Sequence, residues 1–252
     1  MEILFIFLLG LATGSFLNVL IDRLPKNKSI LGRSQCDHCR RKLKTLDLIP
    51  VFSYLFLAGR CRYCKKRLSW QYPLVELLTG ALFVIIWIFV PVNEVLKLFY
   101  LGLFSCLIVI FFTDWKYRII PDQINITLFL FSLAIIYFGG FFSPNNLLIR
   151  LRDGLIVMLP IFGLYLVTKG KGMGFADVKL SFIIGFFLQI LSGFYAIYFA
   201  FVSGAIFGVF LIFLKKKKMK DVIAFGPFLA LGLAIMIFFG NAIVEFVKKF
   251  YF

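Results

Sequence analysis

The sequence predicts an all-α polytopic membrane protein with about eight transmembrane helices and one cytoplasmic zinc-binding loop. Three observations predict it. Of the 252 residues, 62% are hydrophobic and 16% charged, with a mean hydropathy of +0.97, whereas soluble domains carry about 45–50% apolar and about 25% charged residues. The apolar residues fall in stretches approaching the roughly 20 residues that a bilayer-crossing helix needs. The one long polar segment, 22–72, holds four of the five cysteines as two CxxC pairs. So much apolar surface cannot be hidden in one core of this size, which excludes a soluble globular enzyme. Hydrophobicity excludes disorder, and five cysteines in so long a chain exclude a small disulfide scaffold. The net charge of +16 in such a chain points to loop topology rather than to nucleic acid.

Taken in order, the first span is 1–21. It lacks a basic leading segment and a small-residue cleavage site, and Gly14-Ser15-Phe16-Leu17-Asn18 interrupts its apolar run, so it reads as an uncleaved helix. Further spans are expected at 73–92, 95–113, 123–141, 147–168, 178–191, 194–214 and 222–247, the sixth and seventh parted by a turn near Ser192-Gly193. Alternate connections, counting Lys215 to Lys220 as one, hold 23 of the 28 Lys and Arg residues, thirteen of them in 22–72. Only Lys97, Arg150, Arg152, Lys248 and Lys249 fall on the other side. Positive-inside statistics therefore place loop 22–72 in the cytoplasm and both termini outside. The chain divides into a first helix (1–21), a cytoplasmic four-cysteine loop (22–72) and a transmembrane region (73–252).

Within the loop, Cys36-x-x-Cys39 and Cys61-x-x-Cys64 are separated by 21 residues. Two such knuckles wrap one tetrahedral zinc, each supplying two thiolates. A reducing cytoplasm disfavours disulfides, and a loop with little core gains folding energy from a metal. Four thiolates leave no open coordination position, so the zinc is expected to be structural. Flanking Arg40, Arg41, Lys42, Arg60, Arg62, Lys65 and Lys66 offset the charge of such a site. His38, the only histidine, reads as a solvated loop residue, and Cys106 as a packing residue within a span.

Acidic residues near apolar stretches are the most informative, because charge in a membrane is costly. Glu2, Asp22, Asp37, Asp47, Glu94, Asp153 and Asp221 fall in loops or at span ends, where solvation suffices. Glu76, Asp114, Asp177 and Glu245 lie closer to apolar sequence. Asp114 ends an apolar run before Trp-Lys-Tyr-Arg-Ile-Ile-Pro121-Asp122, and Asp177 follows a glycine cluster, Gly170 to Gly174. Both fall at cytoplasmic span ends, hence at one depth. Like charges a few ångströms apart cannot both ionise cheaply, so such a pair holds one proton between them. One carboxylate then activates water while its partner polarises the scissile carbonyl. The structural alternative is that each aspartate caps a helix. The glycine cluster fits neither phosphate-binding pattern, and with one histidine no Ser/His/Asp set is available.

These residues resemble the bacterial type IV prepilin peptidases, GxGD-type membrane aspartic proteases. Gly14-Ser-Phe-Leu-Asn-Val-Leu-Ile-Asp-Arg-Leu-Pro25 resembles the family's N-terminal signature. The stretch from Cys36 to Glu76 resembles its zinc-bearing loop, Asp114 with Ile120-Pro121-Asp122 its first aspartate motif, and Phe225-Gly-Pro-Phe-Leu-Ala230 a C-terminal signature. One departure stands out: where the family has GxGD, this chain has Gly174-Phe175-Ala176-Asp177. Alanine is harmless at negative φ and strained at positive φ.

The resemblance implies a bifunctional enzyme of the bacterial inner membrane, with prepilins or pseudopilins as substrates and membrane lipid around it. It would cut the leader after a glycine at the cytoplasmic face, using Asp114 and Asp177. It would then methylate the new N-terminal residue, usually Phe, with S-adenosylmethionine. Methylation is linked to the zinc loop, where Gly59 matches a glycine tied to that activity. Competing readings are a proton-coupled transporter using the same aspartates, a peptidase without methyl transfer, and a non-catalytic scaffold that docks through the zinc loop.

Overall fold

The computed structural model describes residues 1–36, 38–214 and 223–251, and these contain helices but no β-strand. Asp37, the basic run Lys215 to Lys220 and Asp221, used in the charge readings above, lie outside the described residues. The helices are α1 (Glu2–Arg23), α2 (Phe52–Phe56), α3 (Gln71–Phe89), α4 (Glu94–Tyr117), α5 (Asp122–Phe138), α6 (Pro144–Val167), α7 (Phe175–Phe213) and α8 (Gly226–Tyr251). Among the described residues five helices, α1, α3, α4, α7 and α8, are long and apolar enough to cross a membrane. The protein is therefore a multi-pass membrane protein. Helix α5, at the expected fourth span, has 17 residues, and α6, at the fifth, carries Arg150, Arg152 and Asp153 along its 24 residues.

The chain forms two compact units, Met1–Val109 and Ile110–Phe252, with the division inside α4. In the first, α1 and α3 pack through small residues. A Cβ on Gly10 would lie 2.7 Å from the Gly80 Cα, and one on Gly14 would lie 2.7 Å from the Glu76 Cα. This small-xxx-small stripe lets two backbones touch where lipid gives no hydrophobic drive for helix association. Buried Asn18 ties the pair together, its amide donating to the Tyr72 carbonyl at 3.1 Å while its oxygen accepts from the Gln71 amide at 3.4 Å. The GSFLN interruption of the first span is thus a packing and hydrogen-bonding seam.

In the second unit α7 turns back on itself. The break is at Gln189 (φ 67°, ψ −179°), not at Ser192-Gly193. A Cβ on Gly193 would meet the Gly185 Cα at 3.2 Å, although eight residues of straight helix span about 12 Å. Gly193 is needed for this close approach and for the contact with Val157, so the turn falls earlier. Arg150 of α6 stabilises the break by donating to the Phe187 carbonyl at 2.9 Å and the Phe186 carbonyl at 3.4 Å. A cation satisfies the orphan carbonyls at a helix C-terminus and complements its dipole. Asp153, read as solvated, is buried beside this contact and accepts from the Arg152 guanidinium at 2.9 Å.

Candidate functional site

Helix ends bring together the acidic residues of the second unit. Asp114, near the end of α4, accepts the Gly226 N–H at the start of α8 through Oδ2 at 2.8 Å. Asp177, in the first turn of α7, accepts the Gly174 N–H through Oδ2 at 3.0 Å. Both aspartates are buried, each 7% exposed, and their carboxylates are near enough to repel each other. Each therefore caps a helix N-terminus, where backbone N–H groups and the macrodipole favour an anion. Capping and pairing coexist here. Among the described residues each carboxylate has one oxygen held by backbone and no hydrogen bond recorded to Oδ1.

Ala176 lies inside the first turn of α7 and is not among the positive-φ residues, so alanine carries no backbone strain in place of the usual glycine. Asp122 does not cap α5 with its side chain; its carboxylate pairs with Lys179 at 2.7 Å, both side chains being exposed. That pair joins the starts of α5 and α7 beside the two buried aspartates. Asn125, one turn further along α5, is 3% exposed, and neither of its side-chain polar atoms has a partner among the described residues.

Sequence reasoning gave Gly226 no role, yet it shapes the site. A Cβ there would stand 2.8 Å from Asp114 Oδ2 and 2.8 Å from Ile120 Cδ1. Gly226→Ala keeps the N–H donor and adds only a methyl group against the carboxylate. Any activity that depends on Asp114 is expected to fall by up to about a hundredfold, a loss that roughly 1 Å of misplacement can cause. An unchanged kcat/KM would show that the Asp114 position tolerates the shift.

In the first unit the four loop cysteines converge. Their sulfurs all lie within 4.8 Å of one another, with Cys36 and Cys64 Sγ at 3.9 Å. Zinc at about 2.3 Å from four tetrahedral sulfurs puts them about 3.8 Å apart, so the cluster fits a tetrahedral metal. The two knuckles repeat one design. Cys36 N–H donates to Arg41 O and Arg40 N–H to Cys36 O; Cys61 N–H donates to Lys66 O and Lys65 N–H to Cys61 O. Arg40 and Lys65 take matching left-handed conformations at φ 55° and 56°. Burial pushes the Cys36 thiol up to about 11. At Cys61 burial opposes the thiolate too, but the Cys64 and Tyr63 N–H groups and the neighbouring thiols bring it down to about 7. His38 is exposed, and Cys106 is buried in α4.

Asp47, also read as solvated, organises the loop. Its side chain is 3% exposed and accepts from Arg62 Nε at 2.6 Å and from the Lys44 N–H at 3.1 Å. Gly59 has φ +66°, and a Cβ on it would lie 2.9 Å from the Tyr54 hydroxyl. Glu76, unassigned from sequence, is buried and accepts the Val51 N–H at 2.7 Å. Val51 is a β-branched residue at φ 61°, a strained conformation that costs about 1–3 kcal/mol. Only the folded contact between α3 and the loop reveals that link.

Apolar helices long enough to cross a membrane, with two buried carboxylates at helix ends, define the class as a multi-pass membrane protein. The Bacterial Peptidase A24 N-terminal domain matches residues 8–90, and the Type IV leader peptidase family matches residues 101–209. The chain belongs to the type IV leader peptidase family and is a peptidase. It is 33% identical to a prepilin leader peptidase/N-methyltransferase of Bacillus subtilis over 99% of this chain and 98% of the relative. A relative of the same name from Burkholderia pseudomallei is 30% identical over 96% and 86%, and one from Aeromonas salmonicida 31% over 95% and 91%. No solved structure matches.

Proposed function

We propose that the protein removes the leader of type IV prepilins or pseudopilins after a glycine and then methylates the new N-terminal residue, usually Phe. The observation that carries this reading is the approach of Asp114 and Asp177, two buried carboxylates with their Oδ2 atoms anchored on backbone. One ionised carboxylate takes a proton from water, and the resulting hydroxide adds to the scissile carbonyl carbon. Its protonated partner donates to the carbonyl oxygen. Collapse of the tetrahedral species breaks the C–N bond, and the amine leaves with a proton. The Gly226 and Gly174 N–H groups hold the pair in place during these transfers.

Residues 73–252 supply the peptidase and 22–72 the zinc loop linked to methylation, with 1–21 as an anchoring helix. Zinc in the cysteine cluster is structural, since four sulfurs fill a tetrahedral shell. The loop and the aspartates face the cytoplasm and the termini face outward across the inner membrane, in line with the basic residues of 22–72. Arg150, a basic residue on the opposite side, is accounted for by its place on the α7 carbonyls. In the methylation step the new α-amine is the nucleophile. Its lone pair forms the N–C bond as the C–S pair returns to sulfur, and the amine then loses a proton. S-adenosylmethionine supplies the activated methyl group.

Testing the two activities separately checks this reading. Gly59→Val should lower methylation of a pre-cleaved pilin at least tenfold, because a β-branched residue at φ +66° is strained and crowds Tyr54. Cleavage of the precursor should stay within about twofold of wild type, since Gly59 belongs to the first compact unit and both aspartates to the second. Asp114→Asn should show the converse. Parallel losses of both activities in both variants would mean that one pocket serves both steps.

A further inference from the structure

Among the described residues, Asn125 alone has every polar atom of its side chain both buried and without a partner. An unpaired amide in apolar surroundings costs free energy, so its presence calls for a reason. Its position supplies one. Helices α5 and α7 run side by side in the same direction: Asp122 meets Lys179 at 2.7 Å, and seven residues further along each, the Phe129 and Phe186 rings lie 4.8 Å apart. Asn125 is three residues after Asp122 and four before Phe129, hence on the face of α5 that looks at α7. Its level on α7 is that of Phe182, five residues past Asp177. Five residues are about 7.5 Å of helix rise, in the direction that α7 runs away from its N-terminal aspartate.

A peptide bond is open to attack only when its segment is unwound, and an unwound segment at membrane depth bares N–H and C=O groups that need partners. An asparagine amide carries the same donor and acceptor as a peptide unit, so it pairs with extended backbone as a neighbouring strand does. We propose that Asn125 binds the substrate backbone two or three residues to the C-terminal side of the scissile bond. Its Oδ1 accepts one backbone N–H and its Nδ2 donates to a backbone carbonyl. The inference rests on the peptidase reading above and deepens it by naming a substrate-binding residue. The spacing follows from the register, because about 7.5 Å is two or three residues of extended chain at about 3.3 Å each. The direction follows from α7, which runs from Asp177 into the bilayer, where the apolar part of the substrate lies. Asn125 is 3% exposed in the free protein, and substrate reaches it where α5 and α7 part at their exposed Asp122–Lys179 pair.

The test uses the full-length, zinc-loaded protein in detergent and prepilin-like peptides in which single backbone N–H groups after the cut are replaced by ester oxygens. An ester keeps the shape and removes one donor. With the wild type, an ester at the second or third residue after the cut should lower cleavage kcat/KM about tenfold. Asn125→Leu should lower kcat/KM about tenfold on the all-amide peptide and then respond less than about twofold to that ester, because the partner is already gone. Its Tm should equal or exceed that of the wild type, since an apolar side chain of similar size relieves an unpaired buried amide, whereas loss of a structural bond would lower it. Losses that multiply at every ester position, or full cleavage by Asn125→Leu, would overturn the assignment. If Asn125→Leu does not fold, Asn125→Ala carries the same cycle with the same two outcomes. A wild type that cleaves no such peptide removes the prepilin reading and this assignment with it, whereas multiplying losses in an active wild type overturn Asn125 alone.

Discussion

Asp114→Asn and Asp177→Asn are each expected to abolish leader removal, leaving activity below about a thousandth of wild type. An amide cannot take the proton from water, and an Asn–Asp pair cannot share one proton between two carboxyls. Geometry should survive, because asparagine's oxygen still accepts the Gly226 or the Gly174 N–H. The loss is thus chemical and not a folding defect, which unchanged thermal unfolding in detergent would check. Asp122→Asn provides the contrast. It breaks an exposed pair with Lys179, an interaction of about 0.2–1 kcal/mol, and should lower cleavage only a few-fold. Full cleavage by either buried-site variant would remove the dyad from the mechanism.

The second large effect is expected from the cysteines. Cys36→Ser or Cys61→Ser should lose the metal, because both sulfurs lie in the buried centre of the cluster. Structural zinc contributes about 10–16 kcal/mol to the folding of small domains, far more than the loop's own short helix and 3₁₀ turns can replace. Elemental analysis should read one zinc per chain in the wild type and none in the variants. Limited proteolysis should then cut within 27–70 while the membrane helices stay protected. Stoichiometric zinc in a Cys→Ser protein would show that three sulfurs suffice, and an absence of metal from wild type purified under reducing conditions would reject the site.

How much of this was legible in the sequence depended on the range of the interaction. The knuckles were, because a CxxC turn is local and its ligand spacing survives in the linear text. The unusual setting of Asp114 and Asp177 was as well, since each interrupts or borders an apolar run, and the structure buries both. Gly226 was not, because its meaning lies in a Cβ that would strike a carboxylate 112 positions away. Glu76 and Val51 escaped for the same reason: a strained loop residue and a buried acid become intelligible only once α3 meets the loop. The sequence suggests the α7 turn near Ser192-Gly193. The chain instead uses Gln189 in a conformation normally reserved for glycine, and Gly193 for close packing. The solvated reading of Asp47 and Asp153 failed through neighbouring guanidinium groups that made their burial cheap.

The most direct test of the account is a mass spectrum of a prepilin-like peptide, with a basic leader, a glycine and an N-terminal Phe helix, incubated with the purified wild type. Without S-adenosylmethionine the peptide should lose its leader after the glycine and gain nothing. With the donor present, the shortened product should also carry one methyl group on its new α-amine. A peptide left intact under both conditions, in zinc-loaded protein with its membrane helices folded, would contradict the central claim that this chain processes prepilins.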